Sequence, residues 1–291
     1  MNVRIERLIM KLGFDTKSWH PTRLTPLVSE KLFEALKAIS IAGFRGFETM
    51  DFNVVPYFKK KNEFIDMLSE NNLQLAGIHV WGGFYTIYKG LHPKIWWRRK
   101  YWQTRYIPSI LKFASALGCE RLLIEGGLER PGGAKEKDFV RMARVLNQVG
   151  EMCNDYGVEA SYHPFNTSQI ISSKDRLKKL FKLTDSSFLH LTIDLQKIVA
   201  SKIDPVEIIH EYKERINHVH LRDISEDGEE VELGEGIIDL IGICNLLRTI
   251  GYRDWIVVQL GVPALKKVCR TPSESAEKAW KYINRHLLKS T

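Results

Sequence analysis

The sequence predicts an α/β protein folded as a single (β/α)8 barrel, and three observations carry that expectation. Short apolar runs alternate with longer amphipathic segments along the chain, glycines close several of the amphipathic segments, and no Ser-, Pro- or Gly-rich linker breaks the rhythm. Such alternation with short links is the pattern of parallel β/α units. Eight such units close naturally into a barrel of ~250 residues, and the 291 residues accommodate one domain over 1–291. An open doubly wound sheet is disfavoured because no G-x-G-x-x-G follows the first strand.

In chain order, strands are expected at Ile9–Phe14, Gly46–Met50, Leu75–Val80, Arg121–Glu125, Glu159–His163, Leu189–Asp194, His218–Arg222 and Ile256–Leu260. These runs have the length of strands and are too short for helices. Helices are expected near Glu30–Ala42, Asn62–Glu70, Trp97–Leu117, Lys137–Tyr156, Lys174–Leu183, Pro205–Arg215, Leu240–Ile250 and Glu274–Leu288. The glycines of Ala42-Gly43, Leu117-Gly118, Tyr156-Gly157 and Ile250-Gly251 mark helix ends, where a left-handed residue closes the last turn. The segment Lys94–Tyr106 interleaves aromatic rings with cations, a combination that can stack bases and hold phosphates. Trp102, Tyr106, Ile110, Phe113 and Leu117 nevertheless fall at helical spacing, so a buried stripe is the favoured reading. The cations are then solvated, or touch a second copy in a homo-oligomer.

Hydrophobic residues make up 44% of the chain and charged ones 27%, the proportions of a globular protein with a large core. Lysine and arginine outnumber aspartate and glutamate 43 to 35, a net charge of +8, and the pI is about 9.2. This excess is spread over many helices, which suits an anionic small molecule and argues against a nucleic-acid partner. No apolar run is long enough to span a bilayer, and Met1–Phe14 lacks the features of a secretory signal. A cytoplasmic protein without a membrane partner is therefore expected. Cys119, Cys153, Cys244 and Cys269 form no C-x-x-C pair and are expected as reduced thiols.

The stretch Asn217–Asp223, NHVHLRD, is too polar for an ordinary strand buried in a parallel sheet. Residues i and i+2 of a strand share a face, so His218, His220 and Arg222 should point the same way. Polar residues recur at the C-terminal ends of other expected strands: Glu48, His79, Glu125, His163, Asp194 and Gln259. Singly, each could be an edge charge, a helix cap or a satisfied histidine. Together they would line the barrel mouth at which this architecture places its sites. Histidine and carboxylate from different strands are ordinary ligands of a borderline divalent metal.

Six motifs follow one another along nearly the whole chain: Gly43-Phe-Arg-Gly-Phe-Glu48, Ala116–Leu122, Tyr162–Thr167, His218–Asp223, Leu233–Asp239 and Gly251-Tyr-x-x-Trp255. In this order they resemble the sugar isomerase/epimerase superfamily with the xylose-isomerase-like TIM barrel, which includes ketose 3-epimerases and inosose dehydratase. The resemblance implies a divalent metal (Mn, Mg, Co or Zn). In the epimerases it is held by Glu, Asp, His and Glu from strands five to eight, and the matching positions are His163, Asp194, His220 and Gln259. Both glutamates, the epimerases' opposed proton donor and acceptor, are replaced, so their two-base mechanism does not carry over intact. The D-x-x-H after strand six reads Asp194-Leu-Gln-Lys197, with an ammonium in place of an imidazole.

The implied activity is isomerisation, epimerisation or dehydration of a sugar, a polyol-derived ketone or a phosphorylated relative, through metal-assisted proton abstraction next to a carbonyl. Lys197, Glu125 and Glu48 are the candidates for proton transfer, and His79, His218 and Arg222 for substrate binding. Loss of both glutamates keeps a non-catalytic or repurposed ligand-binding barrel as the alternative. A metal-dependent abasic-site endonuclease ranks last, because that resemblance implies a trinuclear zinc site with more His and Glu ligands than this chain supplies.

Overall fold

The computed structural model describes residues 10–20, 26–81, 102–129, 132–165, 169–261 and 269–288. Its centre is a closed barrel of eight parallel strands: β1 (Lys11–Asp15), β2 (Gly46–Met50), β3 (Gln74–Trp81), β4 (Arg121–Glu125), β5 (Glu159–Tyr162), β6 (Leu189–Asp194), β7 (Ile216–Leu221) and β10 (Trp255–Val258). Successive strands are neighbours, and β10 closes the ring by pairing with both β7 and β1. All eight expected strands are present, three with the expected bounds and five with ends shifted by one or two residues. Two differences bear on the site. Asp15 belongs to β1, one residue beyond the expected end. Arg222 lies past the end of β7, where the chain enters a small antiparallel hairpin of β8 (Asp223–Ile224) and β9 (Glu230–Val231).

Around the barrel lie α1 (Ser29–Ala42), α2 (Asp51–Val54), α3 (Lys61–Asn71), α4 (Ile107–Ala116), α5 (Glu136–Asp155), α6 (Lys174–Lys182), α7 (Leu195–Ala200), α8 (Pro205–Tyr212), α9 (Leu240–Thr249) and α10 (Pro272–Tyr282). In α1, Leu32, Ala35, Leu36 and Ile39 are buried at the i, i+3, i+4, i+7 spacing of a core-facing stripe. Gly43 ends that helix at φ 120°, and a Cβ there would lie 2.4 Å from the Trp280 ring of α10. Glycine is thus required both by the turn and by the packing of α1 against α10. The expected helix Pro205–Arg215 ends earlier, at Tyr212, and Arg215 instead donates to Leu189 O from the turn before β7. The expected helix Trp97–Leu117 falls partly outside the described residues. From Trp102 it begins as one π-helical turn before α4, with Trp102, Ile110 and Phe113 buried and Tyr106 and Leu117 packed at the edge. The short helices α2 and α7 and the β8–β9 hairpin are not foreseen from periodicity, because each is shorter than the window over which a period can be read.

The two-residue alternation of the strands sorts the barrel interior into levels. At the floor, Arg121 donates from Nε to Asn217 O at 3.0 Å and from Nη2 to Asp254 Oδ1 at 2.6 Å. Trp255 lies there too, so close to Gly46 that a Cβ at Gly46 would fall 2.0 Å from its ring. Above them, Ser161 Oγ and Thr192 Oγ1 share a 2.7 Å hydrogen bond. The next step along β4, β5 and β6 brings Glu125, His163 and Asp194 to the mouth.

All four cysteines are free; Cys119, Cys153 and Cys244 are buried and Cys269 is exposed. No helix among the described residues is long and apolar enough to cross a membrane.

Asp51, the first residue of α2, is buried, and accepts from Tyr106 Oη at 3.0 Å and Phe52 N at 2.8 Å. Burial pushes its carboxyl up to about 6, against these hydrogen bonds. A carboxyl whose folded pKa is raised contributes stability as the neutral acid below its unfolded pKa, and that contribution is lost as pH rises through the folded value. Asp51→Asn, which can keep both contacts, should match the parent near pH 4. It should be more stable near pH 7.5, by up to about 3 kcal/mol for a two-unit shift. Urea unfolding at the two pH values checks this.

Candidate active site

Each functional side chain reaches the barrel mouth from the end of a strand. Asp194 ends β6 and begins α7: its Oδ1 accepts the Lys197 backbone N–H at 3.0 Å, the side-chain cap that starts this short helix. Its Oδ2 faces the barrel axis, 3.2 Å from His163 Nε2, 3.7 Å from His220 Nδ1 and 3.0 Å from Arg222 Nη1. His163 Nε2 is also 3.1 Å from His220 Nδ1. The ammonium of Lys197 lies 3.1 Å from His163 Nδ1 and 3.6 Å from Glu125 Oε1.

Beneath this trio lies a second polar layer. Glu48 Oε2 accepts from His218 Nε2 at 2.8 Å and from His220 Nε2 at 2.9 Å. His79 stands between Glu48 and Glu125, with Nδ1 3.6 Å from Glu48 Oε1 and Nε2 3.0 Å from Glu125 Oε2. Neither nitrogen is aligned as a hydrogen-bond donor, and Glu48 Oε1 and His218 Nδ1 also have no hydrogen-bond partner in the described structure. Above the trio, Arg222 bridges outward: Nη1 donates to Gln259 Oε1 at 2.8 Å, and Nε and Nη2 both donate to Glu230 Oε1. Gln259 Nε2 donates in turn to Asp15 Oδ2. Glu230 Oε2 accepts the Gly261 N–H at 3.0 Å, tying the β8–β9 hairpin to the chain after β10.

Charges this deep are held by their neighbours. Burial opposes ionisation of Asp194, but Arg222, the two histidines and Lys197 outweigh it and keep the carboxyl well below its usual range. Glu125 is lowered in the same way, by Lys197, His79 and His163 against burial. Glu48 is also lowered, by His220, His218 and His79 against burial. Burial lowers Lys197 to about 8, against Glu125 and Asp194. Burial and Lys197 push His163 well down, so its ring is neutral, and burial takes His218 to about 4. His220 goes the other way, up to about 9, because Glu48 and Asp194 overcome its burial. Burial opposes the Arg222 charge as well, but Asp194 and Glu230 raise it further above its ordinary value.

His163, Asp194 and His220 form a group that could hold a metal ion, as do two overlapping groups, His79–Glu125–His163 and Glu48–His218–His220. In the first, the three donor atoms are 3.1, 3.2 and 3.7 Å apart. Donors bound to a tetrahedral zinc at ~2.0–2.2 Å sit roughly 3.3–3.6 Å from one another. Imidazole nitrogens plus one carboxylate oxygen at this spacing fit a borderline divalent cation.

Comparison with known proteins also finds a barrel of this kind. Residues 36–286 match the family described as Xylose isomerase-like TIM barrel. The chain belongs to that family. An inosose dehydratase from Clostridium beijerinckii is 27% identical over 306 residues, covering 94% of this chain and 96% of the relative. Another, from Geobacillus kaustophilus, is 29% identical over 175 residues, 53% of this chain and 55% of its own. A D-allulose 3-epimerase from Methylomonas sp., solved in complex with D-allulose, superposes with a TM-score of 0.75 at 16% identity, over 96% of this chain and 97% of that one. The probable 3-DHS dehydratase of Bacillus anthracis gives 0.72 at 14%, over 94% and 99%. At these identities the solved structures establish the shared fold.

Of the residues singled out in the sequence, His163, Asp194, His220 and Lys197 meet directly, with Glu125 and His79 against them. Glu48 and His218 lie a layer deeper, both fully buried. Gln259 is at the same mouth, held between Arg222 and Asp15, and shares Arg222 Nη1 with Asp194. Arg222 is engaged by Asp194, Gln259 and Glu230, which leaves no fork of donors open to an incoming anion. Two residues that bind into this polar cluster, Asp15 and Glu230, are not singled out in the sequence. Asp15 follows Phe14 directly, and counting the strand one residue further would have found it. Glu230 sits in a charged surface-like run, Glu226–Glu232, and carried no signal.

The Gln259 amide is the one side-chain type here that both accepts from Arg222 and donates to Asp15. Gln259→Glu would set two carboxylates against each other at that contact. The metal-free variant should melt below the parent by an amount equivalent to about 1–3 kcal/mol, the cost of one buried polar group left unsatisfied. Added manganese or cobalt should raise its melting temperature more than the parent's. Calorimetric scans with and without metal read both effects.

Proposed function

We propose that this protein is an enzyme that dehydrates or isomerises a polyol-derived ketone or a sugar by proton transfer from a single base. The observation that carries the reading is the amine of Lys197, held 3.1 Å from His163 Nδ1 and 3.6 Å from Glu125 Oε1, immediately beside the His163–Asp194–His220 trio. The Clostridium beijerinckii inosose dehydratase, which aligns over 94% of the chain, supports dehydration as the reaction class.

A divalent metal (Mn, Mg, Co or Zn) would be held by His163, Asp194 and His220, with Gln259 at its margin. When bound, such an ion polarises a carbonyl oxygen and so acidifies the neighbouring C–H. The chain's own residues supply the rest. The neutral amine of Lys197 takes the proton from the carbon next to the carbonyl, and Glu125 holds the resulting ammonium by its charge. That ammonium can return the proton to a hydroxyl leaving from the same face, so water departs and one base serves both steps. Epimerisation would need two opposed groups, for which the epimerases use glutamates at the positions that here match His163 and Gln259. Arg222, clamped by Glu230, keeps Asp194 ionised and in place.

A second reading, a barrel that binds its ligand without chemistry, draws support from Arg222 Nη1, which already bridges Asp194 and Gln259. Incubation of the metal-loaded protein with ketoses, inososes and sugar phosphates in deuterated water, followed by NMR and mass spectrometry, separates the two. Deuterium uptake or water loss should vanish in Asp194→Asn and fall by roughly 10²–10⁴-fold in Lys197→Met. Tight binding with no exchange would favour the ligand-binding barrel. Efficient 3-epimerisation of a free ketose would overturn the single-base reading.

A further inference from the structure

We propose that Glu48 is a positioning residue, whose carboxylate fixes the His220 ring with Nε2–H directed to the barrel interior and Nδ1 directed to the trio. The proposal rests on the reading above that His163, Asp194 and His220 hold a cation.

Glu48 Oε2 lies 2.8 Å from His218 Nε2 and 2.9 Å from His220 Nε2, and all three side chains are 0% exposed. An ionised carboxylate only accepts hydrogen bonds, so each ring must present an N–H to it. The proton on His220 Nε2 is therefore fixed whether the ring is neutral or cationic. The other nitrogen, Nδ1, is left 3.1 Å from His163 Nε2 and 3.7 Å from Asp194 Oδ2, where a cation would take it as a ligand. A ligating histidine whose second nitrogen donates to a carboxylate is a recurrent device for setting the tautomer and ring orientation of a metal ligand.

His218 serves the same end: its N–H on the same oxygen anchors the carboxylate from two residues away on β7. This accounts for two histidines at i and i+2 in a strand whose other residues are Ile216, Asn217, Val219 and Leu221. A direct proton-transfer role for Glu48 fits less well. It is enclosed beneath His220 with no exposed surface, and Oε2 already accepts two N–H groups.

Two measurements on the full-length chain test this. In metal-free protein labelled with ¹⁵N-histidine, long-range ¹H–¹⁵N correlation should show His220 protonated at Nε2, with a protected, downfield N–H. Glu48→Gln, whose neutral amide oxygen is a weaker acceptor, should shift or lose that signal, whereas Asp194→Asn should retain it. In the second, cobalt titration followed by visible absorption should show Glu48→Gln binding roughly 10–100-fold more weakly than the parent, with an unchanged far-UV circular dichroism spectrum. If Glu48→Gln does not fold, His218→Asn removes one of the two anchors and should give a smaller loss of the same sign. A His220 ring protonated on Nδ1 alone overturns the proposal, as does equal cobalt affinity in parent and variant. If the parent binds no cobalt, manganese or zinc, the cation reading of the trio falls, and the nitrogen spectrum alone decides the positioning role.

Discussion

The two oxygens of Asp194 face in different directions, and the candidate site depends on that division. Oδ1 caps the first turn of α7, which sets where that helix starts and therefore where Lys197, at its third position, can reach. Oδ2 meets His163, His220 and Arg222. One side chain thus ties the end of a barrel strand, the start of a helix and the polar centre into a single geometry. A carboxylate this deep is tolerable only because cations and donors surround it; without them its desolvation would exceed its interactions. The same holds one layer down, where Glu48 is enclosed by His218, His220 and His79.

The polar mouth is carried by a floor that is independently closed. Trp255 over Gly46, and Arg121 bound to Asn217 O and Asp254, fill the opposite end of the barrel. In this architecture the two ends divide the work, with packing and stability at the N-terminal face and chemistry at the C-terminal one. The β4 strand shows the division within five residues, running from Arg121 at the floor through Leu123 to Glu125 at the mouth.

Much of this was legible in the sequence because barrel strands impose a period of two and a common polarity of chain direction. Once the eight apolar runs were located, any polar residue at a run's C-terminal end had to be at the same mouth. Hence Glu125, His163, Asp194 and His220 group from the strand ends alone, whereas Lys197, in α7, is legible only through the D-x-x-H pattern that the sequence resembles. What could not be read was depth. His218 and His220 share a face, yet only His220 belongs to the trio, because a step of two residues is also a step of nearly 7 Å along the strand. Partner choice was equally hidden. Arg222 pairs with Glu230, which comes from a hairpin too short for any periodicity to reveal.

The three departures from the epimerase pattern are best understood as one coupled change. By the resemblance read in the sequence, His163 and Gln259 stand where the epimerases have carboxylates, and Lys197 where they have an imidazole. Each step moves the site toward positive charge, and the structure shows what receives it: Lys197 lies against Glu125, and Arg222 against Asp194 and Glu230. A glutamate at position 163 would change the partner of Lys197 from a neutral ring to a second anion beside Glu125. A glutamate at position 259 would face Asp15, which the Gln259 amide now satisfies. The substitutions therefore support one another, since each neutral replacement sits where a neighbouring charge already fills the role of the lost carboxylate. The chemistry follows from the same arrangement. On the proposed reading, the Lys197 amine stands beside Glu125 at one side of the trio, and with histidine and glutamine at 163 and 259 proton transfer would be confined to one face of whatever the mouth holds.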